Sequence, residues 1–271
     1  MLNSKTEALG IIFPNSYDAM VPDLVSERLM ASIPFASRYR MCDFILSSMV
    51  HSGIDNISII VRKNYHSLLD HLGAGREWDL VRKNGGLNIV PPFAQKQVKV
   101  FEGRIEALES LRGYLLKQPQ KYVIMTDANI AINFDFNELL DAHINSGADV
   151  TMMYRKQEIP KAFIRQSRDR MDLYYALGMN GDRVSKIYIN PTEEGEMNFS
   201  MNIYVVEREF LINMIDDAYV HGHTYFVRDL LDKQIDRLDI RGFCYDGYVV
   251  NIHDTQSYFE ENMRLLQLSL I

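Results

Sequence analysis

The sequence predicts an α/β protein built on a doubly wound, largely parallel mixed sheet. Two observations carry this. Short apolar runs alternate with helix-like stretches, which is the pattern of successive β-α-β units. No internal repeat, low-complexity tract or flexible linker interrupts that alternation, and 271 residues suit one large α/β domain.

The elements follow in chain order. Ala8–Phe13 is a short apolar run bounded by Pro14-Asn15-Ser16, so it reads as a first strand. Further strand-like runs lie at 57–61, 122–125, 150–154 and 202–206. Helix-like stretches separate them at 41–51, 65–72, 104–116, 136–145 and 208–219. Asn84-Gly85-Gly86 is a turn signal. Residues 173–179 and 184–189 flank Asn180-Gly181-Asp182, which predicts a β-hairpin. A final helix spans 256–268.

Composition narrows the function. With 47% hydrophobic and 24% charged residues the chain has an ordinary globular make-up. A net charge of −7 argues against broad nucleic-acid binding and suits a small-molecule or protein partner. Cys42 and Cys244 lack C-x-x-C spacing, which fits a reducing cytoplasm. No apolar run reaches the length of a membrane span, and no signal peptide is expected.

A first strand of this kind usually opens into a glycine-rich loop whose N–H groups cradle phosphate. Residues 14–24 contain no glycine, and Pro14 brings no N–H. The G-x-G-x-x-G, Walker, G-x-S-x-G and H-E-x-x-H patterns are all missing. Asp127 lies one residue past the apolar run 122–125, after Thr126, at the sheet edge where open α/β folds bind ligands. An aspartate there commonly holds Mg²⁺ beside a phosphate, and the structural alternative is a turn or helix-capping carboxylate. His66, Asp70 and His71 have helical spacing that could hold a metal but read as surface or capping groups, and His221, His223 and His253 have no H-E-x-x-H or Cys partner that would support a zinc site. The mixed-sign run 165–170 reads as a solvated loop.

"SIPFASRYRMCDFILSSMVHSGIDNISIIV" (32–61) and "YHSLLDHLGAGREWDL" (65–80) resemble segments distinctive of glucose-1-phosphate adenylyltransferases. "FEGRIEAL" (101–108), "VIMTDANI" (123–130), "SMNIYV" (200–205) and "SYFEENMRLL" (257–266) continue the resemblance in order. It implies a Rossmann-like nucleotidyltransferase domain over residues 1–271, with the last helix leading toward a left-handed β-helix domain absent from this chain. Family members join ATP and glucose 1-phosphate with Mg²⁺ and release pyrophosphate. By this resemblance Asp127 matches the first metal aspartate, and Ser200, Gly103 and Asn190 fall at substrate-binding positions.

The departures from the family pattern decide the expected function. The family's G-G-x-G-x-R-L loop corresponds to residues 12–24, which lack its glycines and arginine. Met30-Ala31 replaces a Lys-Pro pair, Asn190 replaces the sugar-phosphate lysine, and Asn251 replaces the second metal aspartate. A neutral amide is a poor ligand for a hard dication. The resemblance therefore implies the GlgD-type branch: a regulatory, catalytically weak or inactive subunit in glycogen biosynthesis. Its partner would be a catalytic glucose-1-phosphate adenylyltransferase subunit in a hetero-oligomer, and Trp78 is one candidate contact. Mg²⁺ binding would be weak, and glucose 1-phosphate or a nucleotide would remain a possible ligand. The alternatives are an active sugar-phosphate nucleotidyltransferase with an atypical loop, or a stand-alone sugar-phosphate binding module.

Overall fold

The computed structural model describes residues 7–82, 85–91, 103–167, 173–193 and 195–268. Asn84 of the turn signal, Phe101 and Glu102 of the 101–108 stretch and 168–170 of the mixed-charge run lie outside the described residues.

The chain begins with β1 (Ala8–Phe13), β2 (Pro34–Phe35), β3 (Tyr39–Arg40), α1 (Met41–His51), β4 (Asn56–Ile60), α2 (His66–Leu72) and β5 (Gly86–Val90). Then come α3 (Arg104–Leu115), β6 (Tyr122–Asp127), β7 (Ile130–Ile132), α4 (Phe136–Ser146), β8 (Val150–Glu158) and α5 (Lys161–Gln166). The rest is β9 (Tyr175–Asn180), β10 (Arg183–Ile189), β11 (Glu196–Glu207), α6 (Arg208–Val220), β12 (Ile240–Cys244), β13 (Val249–Asn251) and α7 (Thr255–Leu268). A π-helical turn, Phe226–Asp232, follows α6.

Nine strands form one sheet in the order β5-β4-β1-β6-β11-β8-β12-β10-β9. The half made by β5, β4, β1 and β6 is parallel throughout. β11 then runs antiparallel to both β6 and β8, while β8 and β12 are again parallel. The hairpin of β9 and β10 closes the far edge. The sheet is thus more mixed than the alternation alone implies, because β11 runs antiparallel to both of its neighbours, β6 and β8.

Helices cover both faces, as double winding requires. Leu9, Ile11 and Phe13 of β1 pack with Ile105, Leu108 and Leu211 of α3 and α6. Ala8 and Ile12, on the opposite face, pack with Ile45, Leu46 and Leu139 of α1 and α4. The period-two alternation of one strand therefore feeds two cores. A third cluster around Tyr17, Phe163, Tyr174 and Phe199 lies beneath the segment between β1 and α1.

The predicted helices stand close to where periodicity places them, and α1 has the predicted bounds. α4 shows why: the Asp135 carboxylate accepts from Asn137 N–H at its start, and Gly147 ends it at φ 64°. β5 and β12 were not among the predicted strands. Gly86 opens β5 at φ 83°, and a Cβ there would collide with the Leu80 carbonyl. Among the described residues no helix is long and apolar enough to cross a membrane.

Candidate functional site

Strands β1 and β6 are register partners at their carboxyl ends, where Phe13 lies beside Asp127. A cavity of about 400 Å³ opens there, lined by Phe13, Ser16, Tyr17, Arg104, Asp127 and Asn202 among others. This is the edge at which an open α/β sheet offers its backbone ends and loops to a ligand.

Asp127 is fully buried. Its Oδ1 accepts from Ser16 Oγ at 2.6 Å and from Arg104 Nη2 at 2.6 Å. The ion pair is interior: the side chains are 1% and 15% exposed. Two aromatic faces flank the guanidinium, with ring centroids 4.5 Å away for Phe13 and 5.5 Å for Tyr204. Burial works against the Arg104 charge. The Asp127 carboxylate and the tyrosines around it more than offset that, so the guanidinium is held above its usual range. Asp127 Oδ2 and Arg104 Nη1 are both buried and have no hydrogen-bond partner among the described residues.

The entrance segment replaces a glycine loop with side-chain bonds. Asp18 is buried, and its Oδ1 accepts from Met30 N–H at 2.7 Å. Asn15 Nδ2 donates to Asp18 Oδ2 at 2.6 Å, and Asn15 Oδ1 accepts from Arg62 N–H at 3.0 Å. Burial pushes the Asp18 carboxyl up, against these two hydrogen bonds and the Lys63 and Arg62 charges. A carboxylate of the chain itself thus takes a backbone donor in this segment. A second cavity of about 580 Å³ adjoins it, bordered by Asn15, Asp18, Arg62, Lys63 and Asn64.

Gly103 lines the first cavity at the start of α3. Its backbone is extended, so conformational freedom is not the reason for glycine; a Cβ would run into the Thr224 carbonyl oxygen. Ser200 is buried on β11, and its Oγ accepts from Asn202 N–H at 3.3 Å. Asn190 Oδ1 accepts from the N–H groups of Leu173 and Tyr174 at 2.8 and 3.1 Å. That amide oxygen pins the entry to β9. Asn251 Oδ1 accepts from Asn129 Nδ2 at 3.0 Å.

Two residues that sequence reasoning did not single out shape the site. Asn202 sits in a bulge of β11 at φ 55° and joins Tyr17 to Tyr204. Arg104 supplies the cation. Its signal in the sequence is a positive residue directly after a glycine at a helix N-terminus, where the helix dipole disfavours positive charge.

Asp127 and its surroundings do not fit Mg²⁺. Oδ1 already receives two donors, a guanidinium sits directly beside the carboxylate, and Asn251, the other ligand the resemblance leads one to expect, is a neutral amide bonded to Asn129. Elsewhere, His71 Nε2 lies 2.6 Å from Asp43 Oδ1, and Asp43 Oδ2 accepts from Arg40 N–H at 2.9 Å. His66 stacks on Tyr65, apart from that pair's chemistry. Trp78 is partly buried against its own core, and its Nε1 donates to Ser47 Oγ at 3.2 Å.

The pattern of the nucleotidyl transferase family matches residues 23–267. The chain belongs to that family. Within it, the chain is 36% identical over 166 residues to the glycogen biosynthesis protein GlgD of Geobacillus stearothermophilus, covering 61% of this chain and 48% of the relative. It is 28% identical to GlgD of Bacillus subtilis (strain 168) over 264 residues, 96% of this chain and 64% of that protein. The glucose-1-phosphate adenylyltransferase of Geobacillus stearothermophilus is 26% identical over 270 residues, 97% of this chain and 67% of the enzyme. The chain spans about half to two thirds of the length of these relatives.

Proposed function

We propose that this nucleotidyl transferase acts in glycogen biosynthesis as a regulatory, catalytically inactive subunit. It pairs with a catalytic glucose-1-phosphate adenylyltransferase subunit in the cytoplasm. The single observation that carries this reading is the buried Arg104–Asp127 pair. Nucleotidyl transfer depends on positioned cations and metal ions that neutralise the transferring phosphate. Here the carboxylate that would hold the metal is neutralised by the chain itself. The loop that would cradle phosphate is held by Asp18 and Asn15 instead. Losing one electrostatic group of this kind costs about 10²–10³ in rate, and several are missing together.

The cavity beside Asp127 keeps polar and aromatic lining from Ser16, Tyr17, Tyr175, Tyr225 and Asn202. That lining suits glucose 1-phosphate or a nucleotide, bound as an effector rather than turned over. Similarity to the proteins named glycogen biosynthesis protein GlgD supports a role in glycogen synthesis.

The test is pyrophosphate release from ATP, glucose 1-phosphate and Mg²⁺ with the purified chain alone, and again with an adenylyltransferase from the same genome. The expected result is no turnover alone, co-elution of the two proteins on size exclusion, and faster synthesis per catalytic subunit. Turnover by the chain alone in the ordinary enzyme range of about 1–10³ s⁻¹ overturns the reading. So does separate elution at micromolar concentration with an unchanged rate.

A further inference from the structure

Arg104 stands where two effects oppose it. It is the first residue of α3, where the helix dipole is positive, and its guanidinium is buried. A cation survives there only if the surroundings were built for it, and four features are. The Asp127 carboxylate meets it at 2.6 Å. The rings of Phe13 and Tyr204 flank it. Its own backbone is clamped, because Gly103 lies against the Thr224 carbonyl and Ile105 N–H donates to that same oxygen at 3.3 Å. Thr224 is fixed in turn, since Asp229 Oδ2 accepts from the N–H groups of Thr224 and Tyr225 at 3.2 and 3.0 Å.

We propose that Arg104 is a built-in, permanent replacement for a divalent cation at Asp127, so that this carboxylate binds no metal and the cavity takes its ligand without one. The pair also leaves Arg104 Nη1 and Asp127 Oδ2 unpaired in the same site, one donor and one acceptor. Ser16, Tyr17, Tyr225 and Asn202 line the cavity beside the pair with hydroxyl and amide groups, so the ligand class that fits is a polyhydroxylated one, and the phosphate of a sugar phosphate would bind through groups other than a metal bridge. Exclusion of the cation stands apart from the regulatory reading: it is measured with no sugar, nucleotide or partner present.

The probe is Mn²⁺, followed by electron paramagnetic resonance in the wild-type chain, Asp127→Asn, Arg104→Gln, Arg104→Lys and the Arg104→Gln/Asp127→Asn double variant. Comparison with the variants lacking Asp127 subtracts ions held elsewhere on an acidic surface. The wild-type and Asp127→Asn chains should bind the same amount of Mn²⁺. Arg104→Gln should gain one further ion, lost again in the double variant, while Arg104→Lys should gain none because its ammonium still fills the position. Glucose 1-phosphate affinity of the wild type should be unchanged by EDTA. Mn²⁺ bound by the wild type and lost in Asp127→Asn overturns the proposal, and so does a folded Arg104→Gln chain with no added ion. Where the single variants do not fold, the comparison of wild type with the Arg104→Gln/Asp127→Asn double variant, which removes both charges, decides: extra Mn²⁺ held by the wild type overturns the proposal.

Discussion

The Asn202 amide donates to the Tyr17 hydroxyl across 2.6 Å, tying a bulge in β11 to the entrance segment after β1. The same side chain accepts from the Tyr204 hydroxyl at 2.7 Å, and the Tyr17 hydroxyl lies 3.3 Å from the Leu173 carbonyl. One buried residue thus holds together two sides of the cavity that are far apart in sequence. Its positive φ is what turns the amide inward, and asparagine tolerates that conformation better than most residues.

Replacing Asn202 separates these two roles. Asn202→Gly keeps the backbone conformation and loses two buried hydrogen bonds, which predicts a loss of about 1–3 kcal/mol. Asn202→Ala loses the same bonds and adds left-handed strain of about 1 kcal/mol. Urea unfolding of the two variants should therefore rank wild type above glycine and glycine above alanine. Equal stability of the two variants would show that the bulge relaxes out of the left-handed conformation.

Gly103→Ala tests the clamp on α3. The new methyl group must displace the Thr224 carbonyl, because the extended backbone at residue 103 offers no other relief. Overpacking of this kind costs about 1–3 kcal/mol. Because residues 103 and 225–227 share the cavity wall, the variant should also weaken glucose 1-phosphate binding in calorimetry. A variant with unchanged stability and affinity would mean that the wall yields freely.

Much of this arrangement is legible in the amino-acid sequence. The apolar run 122–125 placed Asp127 at a strand end. Helix bounds followed from periodicity and from caps such as Asp135 and Gly147. What stayed hidden depends on contacts across the fold. Arg104 and Asp127 sit on different elements, and no local pattern announces that one neutralises the other. Asn190 matches a sugar-phosphate position by sequence, and its amide oxygen accepts from two backbone donors, Leu173 and Tyr174, at the entry to the hairpin that precedes it. β12 escaped notice because Gly242 interrupts a run of only five residues.

His143 gives a pH signature to the fold. Burial lowers its pKa from 6.5 to about 4, and its Nδ1 lies 2.8 Å from Thr151 Oγ1. The folded imidazole therefore stays neutral while the unfolded one takes a proton. Its stability contribution is fully present above about pH 6.5 and is lost progressively as pH falls from there toward 4. The melting temperature of the wild type should drop over that window, and His143→Gln should drop less. Parallel curves for the two proteins would remove His143 from the account.

The Arg104–Asp127 pair yields the sharpest prediction on stability. A carboxylate kept to bind a metal is a liability to the empty fold, and removing it usually costs little or even stabilises. A carboxylate that neutralises a buried guanidinium is the reverse case. Asp127→Asn leaves Arg104 charged, interior and without its counter-ion, and breaking a buried pair from one side costs about 3–5 kcal/mol. Arg104→Met leaves the carboxylate stranded at a comparable cost. The double variant Arg104→Met/Asp127→Asn removes both charges and should be more stable than either single variant, a non-additivity that a double-mutant cycle measures directly. Burial limits screening, so the coupling should persist in high salt. Chemical denaturation of the four proteins at neutral pH decides the matter. An Asp127→Asn chain as stable as the wild type, or a double variant whose loss equals the sum of the singles, would show that the pair does not hold the site together.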